Sequence, residues 1–508
     1  MFEEKYSLLK KYYGYDSFRQ GQEYIIDAIL SGHDVLGVMP TGAGKSVCFQ
    51  LPALMLRGVT IVVSPLISLM NDQVQTLEKK GITAVCLNSA VSFEQQRRSA
   101  ERIMSGRVRL IYVAPERLGN RFFRAMCSRI HISLVAVDEA HCVSQWGKDF
   151  RPAYLGIKDF VSSLPSRPVV CAVTATATPE VRQDITELLG LENARSLVTG
   201  FDRPNLYFGV VRTDNKYEAL ISCLNFYKGK SGIVYCSSRR AADRLHDSLV
   251  KEGFSAVKYH AGMPKTERRK SQELFVSDRK RIAVATNAFG LGIDKPDIRF
   301  VIHYTVPGDL ESYYQEAGRA GRDKRASDCI LLYSKTDIKI QKFFINTSYE
   351  ESDLPKSEKL RLRSQRLRRL EEIVSYCETE KCLREHILSY FGEVTEKCGN
   401  CSSCKAKSVS LKEFCNGEIF REKELIGRMT ELRNRIARKE GIRPKDVISD
   451  RLILILAQNT PLSFDEMESM PHFGDLKRKY AALFLREINR YYETKEKKKH
   501  YTENIAKK

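Results

Sequence analysis

Met39-Pro40-Thr41-Gly42-Ala43-Gly44-Lys45-Ser46 is the stretch whose reading decides the fold. It follows the phosphate-loop pattern G-x-x-x-x-G-K-[ST] once the first Gly is relaxed to Met39. Upstream, Asp34 to Val38 is a short apolar run of buried-strand type, and Ser46 to Met55 reads as a helix. A strand, a tight glycine turn and a helix N-terminus aim several backbone N–H groups at one point, where they cradle phosphate. In that setting Lys45 neutralises the terminal phosphates and the Ser46 hydroxyl holds Mg²⁺. An ordinary glycine-rich turn has the same local sequence, so the neighbouring segments must decide.

Working outward, apolar runs recur at Val59–Val63, Val108–Val113, Leu134–Val137 and Val169–Val173, with amphipathic stretches at 66–80 and 92–105 between them. Such alternation predicts a parallel sheet covered by helices on both faces. Sites in such sheets gather at the carboxyl ends of strands. Here those ends carry Ser64-Pro65, Ala114-Pro115-Glu116, Asp138-Glu139-Ala140-His141 and Thr174-Ala175-Thr176. Asp138 is placed to complete a Mg²⁺ shell begun by Ser46, and Glu139 to polarise an attacking water. Before the loop, residues 6–30 read as helical and contain Tyr15, Arg19 and Gln22. Tyr15 offers a stacking face and Gln22 a paired donor and acceptor, a set suited to gripping a purine. After the acidic pair, Ser144 to Tyr154 interleaves Trp146, Lys148, Phe150 and Arg151. Aromatic and arginine side chains are what single-stranded bases stack on.

Phe201-Asp-Arg-Pro-Asn205 has no periodicity and marks a hinge. A second alternating segment follows, with runs at Gly232–Tyr235, Ala256–Tyr259, Arg281–Ala285, Phe300–Ile302 and Cys329–Leu332. It has no phosphate loop. It offers instead Ala285 to Asp294 and Gln315-Glu-Ala-Gly318-Arg319-Ala-Gly321-Arg322, whose two arginines, read as one helical face, suit a finger acting on the partner lobe's nucleotide.

Beyond residue 336 the chain changes character. Arg361, Arg363, Arg366, Arg368 and Arg369 crowd one leucine-spaced helix, a solvated or phosphate-tracking face. Cys398-Gly-Asn-Cys401-Ser-Ser-Cys404 then joins an upstream thiol, Cys382 or Cys377. Four thiolates in a short segment suit tetrahedral Zn²⁺, and the C-x₂-C-x₂-C spacing also admits an iron–sulfur cluster. Residues 406–424 read as a polar linker. From Leu425 a small helical unit begins, with Ser449 and Ser463-Phe-Asp-Glu466 as helix caps and Lys477, Arg478 and Lys479 as a basic patch. A lysine-rich tail, 496–508, reads as disordered.

Composition sets the frame. The chain has 508 residues, 43% of them hydrophobic, enough for about three or four domains of ~100–200 residues each. A formal net charge of +20 points to a polyanionic partner, nucleic acid first. No apolar run of ~18 residues predicts a membrane span, and Met1-Phe-Glu-Glu-Lys5 lacks a signal-peptide pattern. Most of the 14 cysteines stand singly in apolar segments, the usage of a reducing, cytoplasmic compartment.

Taken together, Tyr15 to Gln22, Met39 to Ser46, Ser64 to Leu69, Asp138 to Gly147, Thr174 to Thr178, Gly290 to Asp294 and Gln315 to Arg322 resemble superfamily 2 helicases, and more narrowly the RecQ family. The resemblance covers residues 6–335 in the family's order. It implies an α/β chain with two RecA-like parallel-sheet lobes, 1–205 and 206–335, a helical zinc-binding module at 336–405, and an all-α HRDC-like bundle at 425–495. It implies ATP held by Tyr15, Arg19, Gln22, Thr41, Gly42, Gly44, Lys45, Ser46 and Asp138, with Mg²⁺. Hydrolysis falls to Lys45, Asp138, Glu139, Gln315, Arg319 and Arg322, and coupling to DNA to Trp146, Phe150 and Arg151. Zn²⁺ falls to Cys382, Cys398, Cys401 and Cys404, since Cys382 aligns with the family pattern. The implied activity is 3′-to-5′ translocation on single-stranded DNA with duplex unwinding in repair and recombination, by a chain that works as a monomer. An ATP-gated clamp that unwinds little and an RNA helicase are the alternative readings. About twenty residues separate Cys404 from Leu425, too few for the winged-helix domain that family members often carry there, since a domain needs ~50.

Overall fold

The computed structural model describes residues 2–87, 93–144, 151–289, 295–350, 355–404, 419–459, 461, 463–468 and 479–491. Trp146, Phe150, Gly290–Asp294, Lys477, Arg478, the 406–418 part of the linker and the lysine-rich tail lie outside these residues. The chain divides into two compact units, 1–405 and 406–508.

The first unit contains two sheets. In the first lie β1 (Val35–Val38), β2 (Val59–Val63), β3 (Ala84–Leu87), β4 (Leu110–Val113), β5 (Ile132–Asp138), β6 (Val169–Thr174) and β7 (Arg195–Val198), in spatial order β3-β4-β2-β5-β6-β1-β7. The second holds β8 (Leu206–Arg212), β9 (Gly232–Tyr235), β10 (Ala256–Tyr259), β11 (Ile282–Ala285), β12 (Phe300–His303) and β13 (Ser327–Tyr333), in order β10-β11-β9-β12-β13-β8. Every pairing described is parallel. The central strands are apolar on both faces: β1, β2, β4, β9 and β11 are buried at every residue. Helices must therefore cover both sides, which puts the loops at the carboxyl ends of the strands in register.

Three strands escape the sequence reading: β3, β7 and β8. All three are sheet edges. β7 begins with exposed Arg195 and Ser196 and so shows no apolar run, while Gly209 interrupts β8. The helix expected over 6–30 is two helices, Phe2–Tyr13 and Gln22–Leu30. Gly14 and Gly21, at φ of 75° and 83°, break it, a left-handed conformation that ends a helix cheaply only at glycine.

The thiol module packs on the first unit's hinge. Helices Lys335–Glu350 and Lys356–Glu378 form a hairpin, tied by Arg363 donating to Asn346, and the shorter helix Leu383–Tyr390 follows. The Phe391 ring stacks on Phe201, with centroids 4.3 Å apart and planes at 13°. Glu393 accepts from the Phe201 N–H at 2.8 Å, and Arg182 of the first lobe donates to the Phe391 carbonyl at 2.6 Å.

The second unit is helical: Ile419–Glu440, Pro444–Val447, Asp450–Asn459, Phe464–Glu468 and a helical segment over 479–491. Its first helix starts inside the segment read as linker. Its core gathers Leu425, Met429, Leu452, Leu456, Phe484 and Ile488. Ser449 and Ser463 cap as expected, accepting from Leu452 and Glu466 N–H at 3.1 and 3.2 Å. Lys479 is held by Glu440 at 2.5 Å.

Candidate active site and thiol centre

The loop after β1 runs through two left-handed glycines, Gly42 at φ 89° and Gly44 at φ 82°, into the helix Lys45–Met55. A helix leaves its first N–H groups without intrahelical partners, so this turn presents donors where an anion would sit. Met39, in place of the first glycine, is fully buried, its sulfur 3.8 Å from that of Cys48. That position faces the core, which is why an apolar residue serves there. Lys45 Nζ reaches the Met39 carbonyl at 3.3 Å. Ser46 is half-buried at the second helical position.

The residues expected to grip a base do something more specific here. Arg19 donates to the Gly42 carbonyl at 2.6 Å. The Gln22 amide donates to the Ala43 and Gly44 carbonyls at 3.1 and 3.0 Å and accepts from the Arg19 N–H at 2.8 Å. Both side chains thus brace the loop's carbonyls, and a Cβ at Gly44 would lie 2.6 Å from Gln22 Nε2. Tyr15 is half-exposed, with the Arg19 guanidinium 5.5 Å from its ring centre.

Asp138 closes β5 beneath the loop. Its carboxylate accepts from the Glu139 N–H at 3.0 Å and from Ser64 at 3.5 Å. Burial, then the charge of Glu139, push its carboxyl up to about 7, against the pull of Lys45. A carboxylate so short of water is one that a bound cation relieves. Glu139 is a non-glycine residue at φ 49°, a strained conformation of the kind found at functional sites. Its buried Oε2 makes no hydrogen bond and lies 3.4 Å from His141 Nδ1. His141 Nδ1 is also 2.8 Å from the Thr174 hydroxyl, which donates to the Thr176 carbonyl at 3.1 Å. Tyr154 fixes the Asp138 carbonyl at 3.0 Å. The acidic motif and the Thr174–Thr176 motif are therefore one hydrogen-bonded unit.

Across the cleft stands the second lobe. Arg319 and Arg322 are not on a helix face, as the spacing suggested. The helix Leu310–Ala317 ends at Gly318, and the two arginines lie in the turn beyond it. Each meets a different part of the first lobe. Arg319, buried, lines a cleft of about 150 Å³ shared with Gln315 and Asn287 on its own side and Glu139, Arg151 and Pro65 on the other. Arg322 lays its stem on the phosphate loop, where a Cβ at Gly42 would be 3.5 Å from its Cγ. Arg151, expected to couple to DNA, is anchored in the cleft wall by donating to the Pro65 carbonyl at 2.9 Å.

Sequence reasoning gave no role to Arg203, in the hinge, whose guanidinium bonds to carbonyls of both lobes. Nor did it give one to Arg384, which donates to Asp202 and to the Arg203 carbonyl at 2.5 and 2.7 Å. Their partners are largely backbone atoms, which leave no residue pattern to read.

The thiol centre resolves the choice among cysteines. Sγ atoms of Cys382, Cys398, Cys401 and Cys404 all lie within 4.8 Å of one another, the spread a tetrahedral thiolate site of ~2.3 Å bonds requires. Backbone N–H groups of Cys398, Asn400 and Cys404 point at Cys382, Cys398 and Cys401 sulfurs at 3.3–3.4 Å. Against burial, which works the other way, such donors bring the Cys382 thiol down to about 7. Cys377 is not in the cluster. It is buried in the helix Lys356–Glu378, where burial raises its thiol's pKa.

Comparison with known proteins agrees with this layout. Residues 19–185 match the DEAD/DEAH box helicase model, 215–324 the helicase conserved C-terminal domain, 335–405 the RecQ zinc-binding model and 422–488 the HRDC domain. The chain is 43% identical over 435 residues to the ATP-dependent DNA helicase RecQ of Bacillus subtilis, covering 84% of this chain and 72% of that one. It is 43% identical over 400 residues to that of Haemophilus influenzae, covering 78% of this chain and 63% of the relative. Among solved structures, Saccharomyces cerevisiae Dbp5 bound to RNA and ADP BeF3 superposes with a TM-score of 0.54 at 19% identity, over 72% of this chain and 97% of that one, a likeness of fold. With its two motor sheets, its thiol module and its helical unit following one another as these matches do, the chain belongs to the RecQ family of ATP-dependent DNA helicases.

Proposed function

We propose that this chain steps 3′ to 5′ along one strand of DNA and parts the duplex ahead of it, using ATP bound between its two parallel-sheet lobes. The observation that carries the reading is the facing of Arg322 and Gly42, with Arg319 and Glu139 across one cleft. In this reading the loop Thr41–Ser46 wraps the phosphates and Lys45 supplies the counter-charge. Tyr15, Arg19 and Gln22 border the base. Ser46 and Asp138 would hold Mg²⁺, which when bound neutralises phosphate charge. Glu139, its buried Oε2 beside His141, accepts a proton from the attacking water. Arg319 and Arg322 stabilise charge as the terminal phosphoryl departs, a contribution of ~10³–10⁵ in other nucleotide hydrolases, and Gln315 orients that edge of the cleft. Because this stabilisation requires both lobes, hydrolysis is tied to their approach. That approach, repeated, is the step.

The four thiols hold Zn²⁺ in this reading, which keeps the hinge-packing segment folded. Trp146 and Phe150 stack on bases of the track. The setting is DNA repair and recombination within the cell, by a monomer. No described helix is long and apolar enough to cross a membrane. The zinc-binding match ends at 405 and the HRDC match starts at 422, so a winged-helix grip on duplex is not available between them, and a tailed duplex is the preferred substrate over a blunt one.

Strand displacement on 3′-tailed, 5′-tailed and blunt duplexes, with ATPase rates on single-stranded DNA and RNA, tests the proposal. The 3′-tailed duplex should be unwound, and Glu139→Gln should bind ATP without unwinding. Preference for a 5′ tail reverses the direction, stronger stimulation by RNA moves the track, and DNA-stimulated ATPase with no unwinding of any substrate supports the clamp.

A further inference from the structure

Arg203 lies in the connector between the two sheets, three residues before β8. Its Nη1 donates to the Thr41 carbonyl at 3.5 Å and to the Gly318 carbonyl at 3.3 Å. Its Nη2 donates to the Ala320 and Gly321 carbonyls at 3.1 and 2.9 Å. One guanidinium therefore spans the phosphate loop of the first lobe and the turn of the second that carries Arg319 and leads into Arg322. The lobes are close enough there that a Cβ at Gly318 would lie 3.9 Å from Thr41 Cβ. Asn205 doubles the hold on the turn, donating to Gly321 and Arg325 carbonyls at 2.9 and 3.0 Å, and accepts Arg203 Nε at 3.4 Å.

The chemistry suits arginine alone. The turn follows the end of the helix Leu310–Ala317, where carbonyls run out of intrahelical donors. A planar fork with five N–H groups can serve several carbonyls at once, whereas lysine is a single point of charge on a flexible stem. The fork's own base is fixed, since the Arg203 carbonyl accepts from Arg384 and the Phe201 carbonyl accepts from the Tyr314 hydroxyl. The strut is thus braced at the hinge and free to transmit position to the turn.

We infer that Arg203 is a positioning residue for ATP hydrolysis: it sets the distance between the phosphate loop and the arginine turn without touching nucleotide. The inference rests on the proposed role of Arg319 and Arg322, and predicts that Arg203 acts through them. A displacement of 1 Å at a reacting centre can cost ~10² in rate.

The test compares full-length wild type, Arg203→Ala, Arg203→Lys, Arg322→Ala and the Arg203→Ala/Arg322→Ala double variant. Turnover is measured with saturating single-stranded DNA and Mg²⁺, and nucleotide-binding stoichiometry with a fluorescent ATP analogue. Arg203→Ala should lose at least ~10-fold in kcat, with KM for ATP within about twofold and full binding stoichiometry. Arg203→Lys should recover less than half of that loss. The double variant should match Arg322→Ala within about twofold, because the two act in series. Should Arg203→Ala not fold, Arg203→Gln, which keeps an amide donor, replaces it in the same cycle. Losses that multiply in the double variant, or a fall in stoichiometry parallel to kcat, overturn the inference. So does wild-type turnover in Arg203→Ala beside a crippled Arg322→Ala, a result that leaves the reading of the arginine turn standing. Wild-type turnover in Arg322→Ala removes that reading and this inference with it.

Discussion

The two parallel sheets share one architecture and differ at their carboxyl ends. The first follows β1 with a loop that runs through two left-handed glycines into a helix N-terminus, a shape suited to phosphate. The second shows no such loop among its described residues and presents guanidinium groups from a turn past a helix end. In the proposed reading the first lobe is a binder, and the second a completer whose charge matters only where the hinge puts it.

The severest challenge to this division is loss of the module that braces the hinge. Cys401→Ser should release the metal and unfold the segment around it, structural zinc being worth ~10–16 kcal/mol in small modules. Turnover should vanish, yet the first lobe should still bind nucleotide. Metal analysis, limited proteolysis and nucleotide titration read all three, and loss of nucleotide binding together with the metal would break the division. Next in size, Lys45→Ala should lose nucleotide affinity and turnover together, while Arg322→Ala should lose ~10³ in turnover and keep affinity. Weak nucleotide binding by Arg322→Ala would make the second lobe a binder as well. Phe391→Ala removes a fully buried ring from the stack on Phe201 and should cost about 3–5 kcal/mol by thermal or urea unfolding. A loss below 1 kcal/mol would show the hinge held by its hydrogen bonds alone. The smallest effect is Gln22→Ala, which frees two loop carbonyls and should raise KM for ATP severalfold with kcat nearly kept. A fall in kcat at constant KM would instead assign Gln22 to the chemical step.

Most of this division is legible from residues alone, for a physical reason. Central strands of a parallel sheet are buried on both faces and must be apolar throughout, so β1, β2, β4, β9 and β11 stand out. β7 and β8 do not, because exposed Arg195 and Ser196 open the one and Gly209 interrupts the other, whereas β10, also an edge, does. The thiol spacing is local and needs no fold to be recognised. The choice of Cys382 over Cys377 rests in sequence on the family pattern, and the structure gives its geometric reason: Cys382, not Cys377, is one of the four sulfurs within 4.8 Å of one another. The arginine turn is legible as a motif but not as a turn, because a helix that stops at Gly318 looks in sequence like one that continues. Arg203 stayed invisible. It recognises carbonyl groups, and every residue has one.

The stacking of Phe391 on Phe201 also has a consequence for how the chain is made. The hinge N–H at Phe201 waits for Glu393, 192 residues further on. At ~5–20 residues per second on a ribosome, that interval is roughly 10–40 s. The first sheet, whose last strand ends at Val198, can close during this time. The hinge cannot, because its ring partner and its acceptor have not been synthesised. On the proposed reading a nascent chain carries its nucleotide cradle well before it has a braced cleft, and a message cut short before the thiol segment should yield a binder that does not turn over.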